Sequence, residues 1–210
     1  MAAPKRKPAA GRERILEVAM HLFAERGYRG TSMRAIAGRA RCNIALAYHH
    51  FGSKQALYAE LFQIYSNRFV ALFMFPPQPG TPAETVAGVA DRIIAFLVDN
   101  RPLVQILLRE VIAPGPVYLR RCQPQMRLVL DAAERALSGA GRRGVAVPAA
   151  PREFLLLLFG MLTYYVATSS SLATLLGEDP LAEPALTRLR GEAQALLLAR
   201  LGLPISAAER

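Results

Sequence analysis

Between Thr31 and Lys54 the chain gathers side chains that suit contact with a polyanion. Arg34, Arg41 and Lys54 supply charge. Asn43, Tyr48, His49 and His50 supply hydrogen-bonding groups. The apolar residues between them have helical spacing. Ile36, Ala37 and Ala40 mark the inner face of one short helix, and Cys42, Ala47 and Phe51 that of a second. A tight turn joins them. Asn43 suits the cap of the second helix, which spans Asn43 to His50. Its N-terminus would present backbone N–H groups and the positive end of the helix dipole. A helix of this kind fits the major groove, where its first residues reach base edges.

Other chemistries find little support. His21, His49 and His50 are the only histidines, and no carboxylate stands near the pair at a triad or metal spacing. Cys42 and Cys122 make no disulfide framework and no metal-ligand pattern. Neither catalytic residues nor a metal or other cofactor is expected.

Charge singles out the same region. Residues 1–80 hold 12 Lys and Arg against 4 Asp and Glu, whereas residues 81–210 hold 14 against 12. The positive field therefore sits on the first third, which points to nucleic acid or an anionic membrane. A composition 52% hydrophobic and 20% charged is that of a globular chain. The N-terminus lacks the apolar run of a signal peptide, so a cytoplasmic location is expected. Lys5, Arg6 and Lys7 lie in an expected flexible arm, residues 1–11, read either as a solvated tail or as a phosphate or minor-groove contact.

The elements that position these groups read as all-α, with about nine helices and no strand alternation. Ile15, Ala19, Leu22 and Phe23 share one face of a first helix that Gly27 stops. Thr31 or Ser32 caps the second, Asn43 the third and Ser53 the fourth, which runs to about residue 75. Pro76 to Gly80 mark a domain boundary. Thr81-Pro82-Ala83-Glu84 reads as a capping box with proline at the first helical position. Pro102 opens the next helix. A further helix over 117–138 is bent or broken at Pro124. One long helix is expected over 151–176 and a last one over 181–201.

Gly27-Tyr28, Thr31-Ser32-Met33, Ile36-Ala37, Ala40, Tyr48, His50-Phe51 and Ser53 to Leu57 have the order and spacing of a known DNA-binding domain. Across about residues 12–60 the chain resembles the TetR/AcrR family of transcriptional regulators. The resemblance implies an N-terminal three-helix helix-turn-helix domain, residues 12–58, and a larger helical domain, 81–203, for effector binding and dimerisation. It implies that Thr31 donates to a phosphate while capping its helix. Asn43, Ile44, Ala45 and Leu46 would face the groove, and Tyr48, His49 and His50 would touch phosphates or bases. Lys54 would pair with phosphate, and Arg34 and Arg41 would add charge. Structural roles compete at several positions: Thr31 as a pure cap, Tyr48 leaning on the surface, His50 as a packing residue. Family members usually carry glycine where Arg41 stands, because the turn there is left-handed. The larger apolar residue usual at position 47 is here alanine, with Leu46 beside it.

Residues 154–176 carry no charge over 23 positions. Thr163, Tyr164, Tyr165, Thr168 and three serines make the stretch too polar for a simple lipid-facing span. The resemblance implies instead that helices 151–176 and 181–201 form a homodimer interface. A two-fold dimer presents two recognition helices ~34 Å apart to a palindromic operator in double-stranded DNA. The helices from 82 to 138 would enclose an effector pocket, with Gln105, Arg109 and Tyr164 as candidate ligand-binding groups or, alternatively, surface and interface groups. The expected function is a ligand-responsive regulator, acting as a repressor released by a small hydrophobic or aromatic effector. The alternative is a non-specific DNA-binding or membrane-surface protein with a basic N-terminal region.

Overall fold

Glycines, caps and prolines set the limits of the helices. In a computed structural model that describes residues 8–74, 81–142 and 145–204, the chain is all-α. Helix α1 (Pro8–Arg26) ends at Gly27, whose φ of +70° lets its N–H donate to the Phe23 carbonyl at 2.9 Å. It begins at Pro8, so residues 8–11 of the expected arm are helical, and residues 1–7 lie outside the described residues. Helix α2 (Met33–Arg39) is capped by Ser32. Helix α3 (Ile44–Phe51) is capped by Asn43 and closed by Gly52 at φ +70°. Helix α4 (Lys54–Met74) starts where the Ala56 N–H donates to the Ser53 hydroxyl at 3.1 Å.

Ile15, Ala19, Leu22 and Phe23 of α1 meet Ile36, Ala37 and Ala40 of α2 and Ala47 and Phe51 of α3 in one buried core. Each large side chain so buried contributes about 1.5–3 kcal/mol. The small residues on α2 and α3 let these short helices approach closely.

The Pro-rich boundary at 76–80 lies outside the described residues. Helix α5 (Pro82–Asp99) then begins with the expected capping box: Thr81 and Glu84 each accept from the other's backbone N–H. Helix α6 (Arg101–Ile112) follows with Pro102 in its first turn. Tyr118–Cys122 form one π-helical turn, with the Gln123 N–H donating to the Tyr118 carbonyl. Helix α7 (Gln123–Gly141) continues from it. Pro124 explains the turn, because it has no N–H for an α bond and its ring crowds the preceding carbonyls.

The single helix expected over 151–176 is corrected to two. Helix α8 (Pro151–Ala167) and helix α9 (Ser169–Leu176) meet at Thr168 with a 74° bend. Thr168 Oγ1 donates to the Tyr164 carbonyl at 2.8 Å, and Ser169 Oγ to the Val166 carbonyl at 2.9 Å. Such back-bonding by a Thr-Ser run competes with the helix ladder. Helix α10 (Glu183–Arg200) completes the set of ten α-helices among the described residues, where about nine were expected. Among those residues no single helix is long and apolar enough to cross a membrane.

Helix α6 packs on α1 and α8, α4 on α7, and α5 on α10. The N-terminal unit therefore rests on the larger one through α1 and α4.

Candidate nucleic-acid interface and effector cavity

Helix α3 divides its side chains sharply. Ala47 is fully buried and Phe51 nearly so, while Asn43, Ile44, Ala45, Leu46, Tyr48 and His49 are exposed. The Asn43 side chain accepts from the Ala45 N–H at 2.9 Å, which fixes the helix start. Three large apolar groups, Ile44, Leu46 and Tyr48, thus face water on an eight-residue helix. Alanine at position 47 fits because that position points into the core. His50 is half-buried, and its Nε2 has no hydrogen-bond partner among the described residues.

The turn before α3 carries a cost. Arg41 has φ +52°, the only non-glycine residue with positive φ among the described residues. A left-handed conformation at a residue with a Cβ costs about 1–2 kcal/mol. The guanidinium that glycine would lack is exposed beside α3. Arg34 is also exposed, on α2.

Two expected contact residues are turned inward. Thr31 is buried, and its hydroxyl lies 3.0 Å from the Leu22 carbonyl and 2.9 Å from that of Gly27. The cap of α2 is Ser32, which accepts from the Ala35 N–H at 3.1 Å. Thr31 ties the turn to α1 and does not reach outward as expected. Lys54 is half-buried: its Nζ donates to the carbonyls of Tyr28 and Thr31, both at 3.0 Å, and lies 4.2 Å from the Tyr28 ring centroid. Desolvation pulls its pKa below the usual lysine value. Two carbonyls and an aromatic face offer an ammonium a site without an acid. Lys54 thus staples α4 to the turn between α1 and α2.

The ligand candidates also fall in unexpected places. Gln105 donates to the Ala167 carbonyl at 3.2 Å. Arg109 donates to the carbonyls of Phe23 at 3.2 Å and Ala24 at 3.0 Å, capping the C-terminal end of α1. Both line an open groove between α1 and α6. Tyr164 is exposed on α8. None of the three lines the apolar cavity of the larger unit, which is itself partly open to solvent. That cavity, about 740 Å³, lies among α4, α5, α6, the π turn, α7 and α8. Its walls include Tyr65, Phe69, Leu97, Leu108, Tyr118, Met126, Val129 and Phe159, with Gln123, Arg127, Arg152 and Thr163 as further polar members. In the sequence these positions look like ordinary core stripes, and Tyr65 and Tyr118 carry no local mark of a ligand site.

Between the two sites lies a buried polar junction. Glu110 accepts from the Tyr58 hydroxyl at 2.6 Å and from the Gly115 N–H at 2.8 Å. Burial, then the hydrogen bond to Glu110, raises the Tyr58 pKa. Burial, then the Glu110 charge, pushes the Cys122 thiol up to about 12, so it stays protonated. Rings connect the junction in both directions. Tyr58 meets Tyr28 at 4.9 Å and Phe62 at 5.3 Å between centroids, and Phe62 meets Tyr118 at 5.6 Å.

Residues 15–61, from the core of α1 to the second turn of α4, match the family model for bacterial regulatory proteins of the tetR family. This N-terminal segment is a TetR-type DNA-binding domain. An HTH-type transcriptional repressor of Mycobacterium tuberculosis is 33% identical over 116 residues, covering 51% of this chain and 60% of that protein. The match thus spans less than two thirds of that relative's length. An HTH-type transcriptional repressor of Streptomyces coelicolor is 27% identical over 174 residues, covering 82% of this chain and 86% of that one. The fold extends beyond the matched domain. The FadR regulator of Bacillus subtilis, solved with stearoyl-CoA, superposes with a TM-score of 0.70 at 18% identity, covering 89% of this chain and 97% of FadR. Among the described residues no group of three or more His, Cys, Asp or Glu side chains is arranged to hold a metal ion.

Proposed function

We propose that this chain is a dimeric TetR-family repressor that reads a two-fold symmetric operator through α3 and releases it when a small apolar molecule enters the cavity. The observation that carries the reading is the outward face of α3: Ile44, Leu46 and Tyr48 project into water on a capped helix beside exposed arginines. Large apolar side chains in that setting suit thymine methyl groups and sugar edges, while Arg34 and Arg41 suit phosphate. His49 and His50 complete the contact set. Thr31 and Lys54 serve by fixing the domain's internal geometry.

Dimerisation is supported by a stripe on α8. Leu157, Met161 and Tyr164 fall at i, i+4 and i+7 and are all exposed, with Leu157 at 74%. The stripe suits a symmetry-related copy, the usual occupant of a self-complementary face.

Helix α6 supplies the coupling. Leu107, Leu108 and Val111 line the cavity, while Arg109 and Glu110 of the same turns hold α1 and α4. A ligand that displaces this end of α6 moves the N-terminal unit with it. The shift is limited to the ligand's differential affinity for the two states. Selection of binding sites from a random duplex library tests the reading. A two-fold symmetric consensus is expected, with half-sites about one helical turn apart. Selectivity below about tenfold over random DNA supports instead a non-specific binder and refutes the repressor reading.

A further inference from the structure

The first turn of α3, the end of a recognition helix that reaches base edges, holds Ile44, Ala45 and Leu46. All three are exposed, Ile44 at 36% and Leu46 at 38%. Their side chains are hydrocarbon throughout, so they neither donate to a base nor accept from one. Leu46 is also supported from behind. A Cβ added at Gly11 would stand 3.9 Å from its Cδ2, so one side of Leu46 lies near the start of α1 while the residue stays exposed. The polar groups of the helix, Tyr48 and His49, stand in its second turn.

Side chains that read purines are missing from this helix. From Asn43 to Phe51 there is no Arg, Lys or Gln. Asn43 would need both ends of its amide to pair with adenine, and its Oδ1 already accepts from the Ala45 N–H at 2.9 Å. Arg41 stands in the turn before α3 and Arg34 on α2, where they suit phosphate. In the major groove the edge group that matches hydrocarbon is the 5-methyl of thymine. Resting on the operator reading of α3 above, we infer that thymine methyl groups packed against Ile44 and Leu46 are the principal sequence signal of each half-site. Hydrogen bonds to guanine or adenine are secondary. The arginines supply affinity that all sequences share, and the two aliphatic side chains supply the choice among them.

The test uses the full-length protein and the duplex returned by selection from a random library, read by fluorescence anisotropy. Each half-site thymine is replaced in turn by deoxyuridine, which keeps the base pair and removes one methyl. At one or two positions per half-site the change should weaken binding about fourfold, and about fifteenfold when both half-sites carry it, the scale of one and two buried carbon groups. Replacing guanines by 7-deazaguanine, which removes the N7 acceptor, should cost less than about twofold. Ile44→Ala and Leu46→Ala alter exposed side chains and should keep the helical content. Each should make one sensitive position indifferent to the methyl, with the salt slope unchanged because no charge is altered. Half-sites without thymine, indifference to deoxyuridine at every position, or a larger loss from 7-deazaguanine overturns the inference. So does a full methyl effect at every position in both variants. A library that returns no preferred site rejects the repressor reading and this inference with it, whereas a clear two-fold site indifferent to deoxyuridine rejects only the methyl readout.

Discussion

The outer face of α3 and the wall of the cavity are built on opposite plans. On α3 only Ala47 and Phe51 point inward, and Ile44, Leu46, Tyr48 and His49 stand in water. In the cavity wall large apolar and aromatic residues from several elements stand together. The first surface is made by eight consecutive residues on one helix. The second needs five helices and a π turn to come together. A short helix can thus offer a contact surface at low cost in packing, because its core contribution is only Ala47 and Phe51. A ligand site in a helical bundle takes residues that the core would otherwise use.

The largest expected effect tests whether these two sites act through a dimer. Leu157→Asp places a charge in the exposed α8 stripe. It should leave the helical content intact, yield a monomer by sedimentation, and weaken operator binding by more than about 100-fold, since one half-site contact is lost per complex. A dimer with normal affinity would move the interface elsewhere.

Tyr58→Phe tests the junction between the sites. The ring contacts remain, and only the hydrogen bond to Glu110 is lost. Urea unfolding should show a loss of about 1.5–3 kcal/mol, the range for a hydrogen bond to a charged group. Operator affinity without ligand should change little, while ligand-driven release should weaken.

Lys54 and Arg34 form a pair that separates inward from outward charge. Lys54→Met should lower stability by about 1–2 kcal/mol while keeping the salt slope of DNA binding nearly unchanged, because its ammonium serves two internal carbonyls. Arg34→Ala should leave stability alone and reduce the slope by about one. The opposite pattern would return Lys54 to the DNA surface.

The smallest effect concerns Arg41. Arg41→Gly should raise stability by about 1 kcal/mol by relieving the left-handed strain. It should also weaken DNA binding modestly, through loss of one charge. Gain in both would mean that the side chain does nothing at the interface.

The sequence revealed these regions unequally. Caps, stops and the inner faces of α1 to α3 are local facts, so Ser53, Asn43, Gly27 and the capping box at Thr81 were legible from neighbours in the chain. The strain at Arg41 was legible from a resemblance alone. The direction of Lys54 was not, because the carbonyls that hold it come from residues 26 and 23 positions earlier. Arg109 looked like a polar group in an apolar helix, suited to a ligand. It caps α1 across 86 residues of sequence, a relation with no periodic signature. The break at Thr168 lay in hydroxyl back-bonds inside a run that hydropathy reads as continuous. Tyr65 and Tyr118 were hidden for the same reason as the cavity: a wall residue and a core residue have one pattern until the space between them is seen.

The most direct test is fluorescence anisotropy with a labelled duplex carrying the selected two-fold site, against a scrambled duplex, at 50 and 200 mM salt. The account predicts two protomers per duplex, selectivity of at least about 10³ at the higher salt, and steep weakening of both complexes as salt rises. Equal affinity for the two duplexes, or a tight complex with a single protomer, would contradict it.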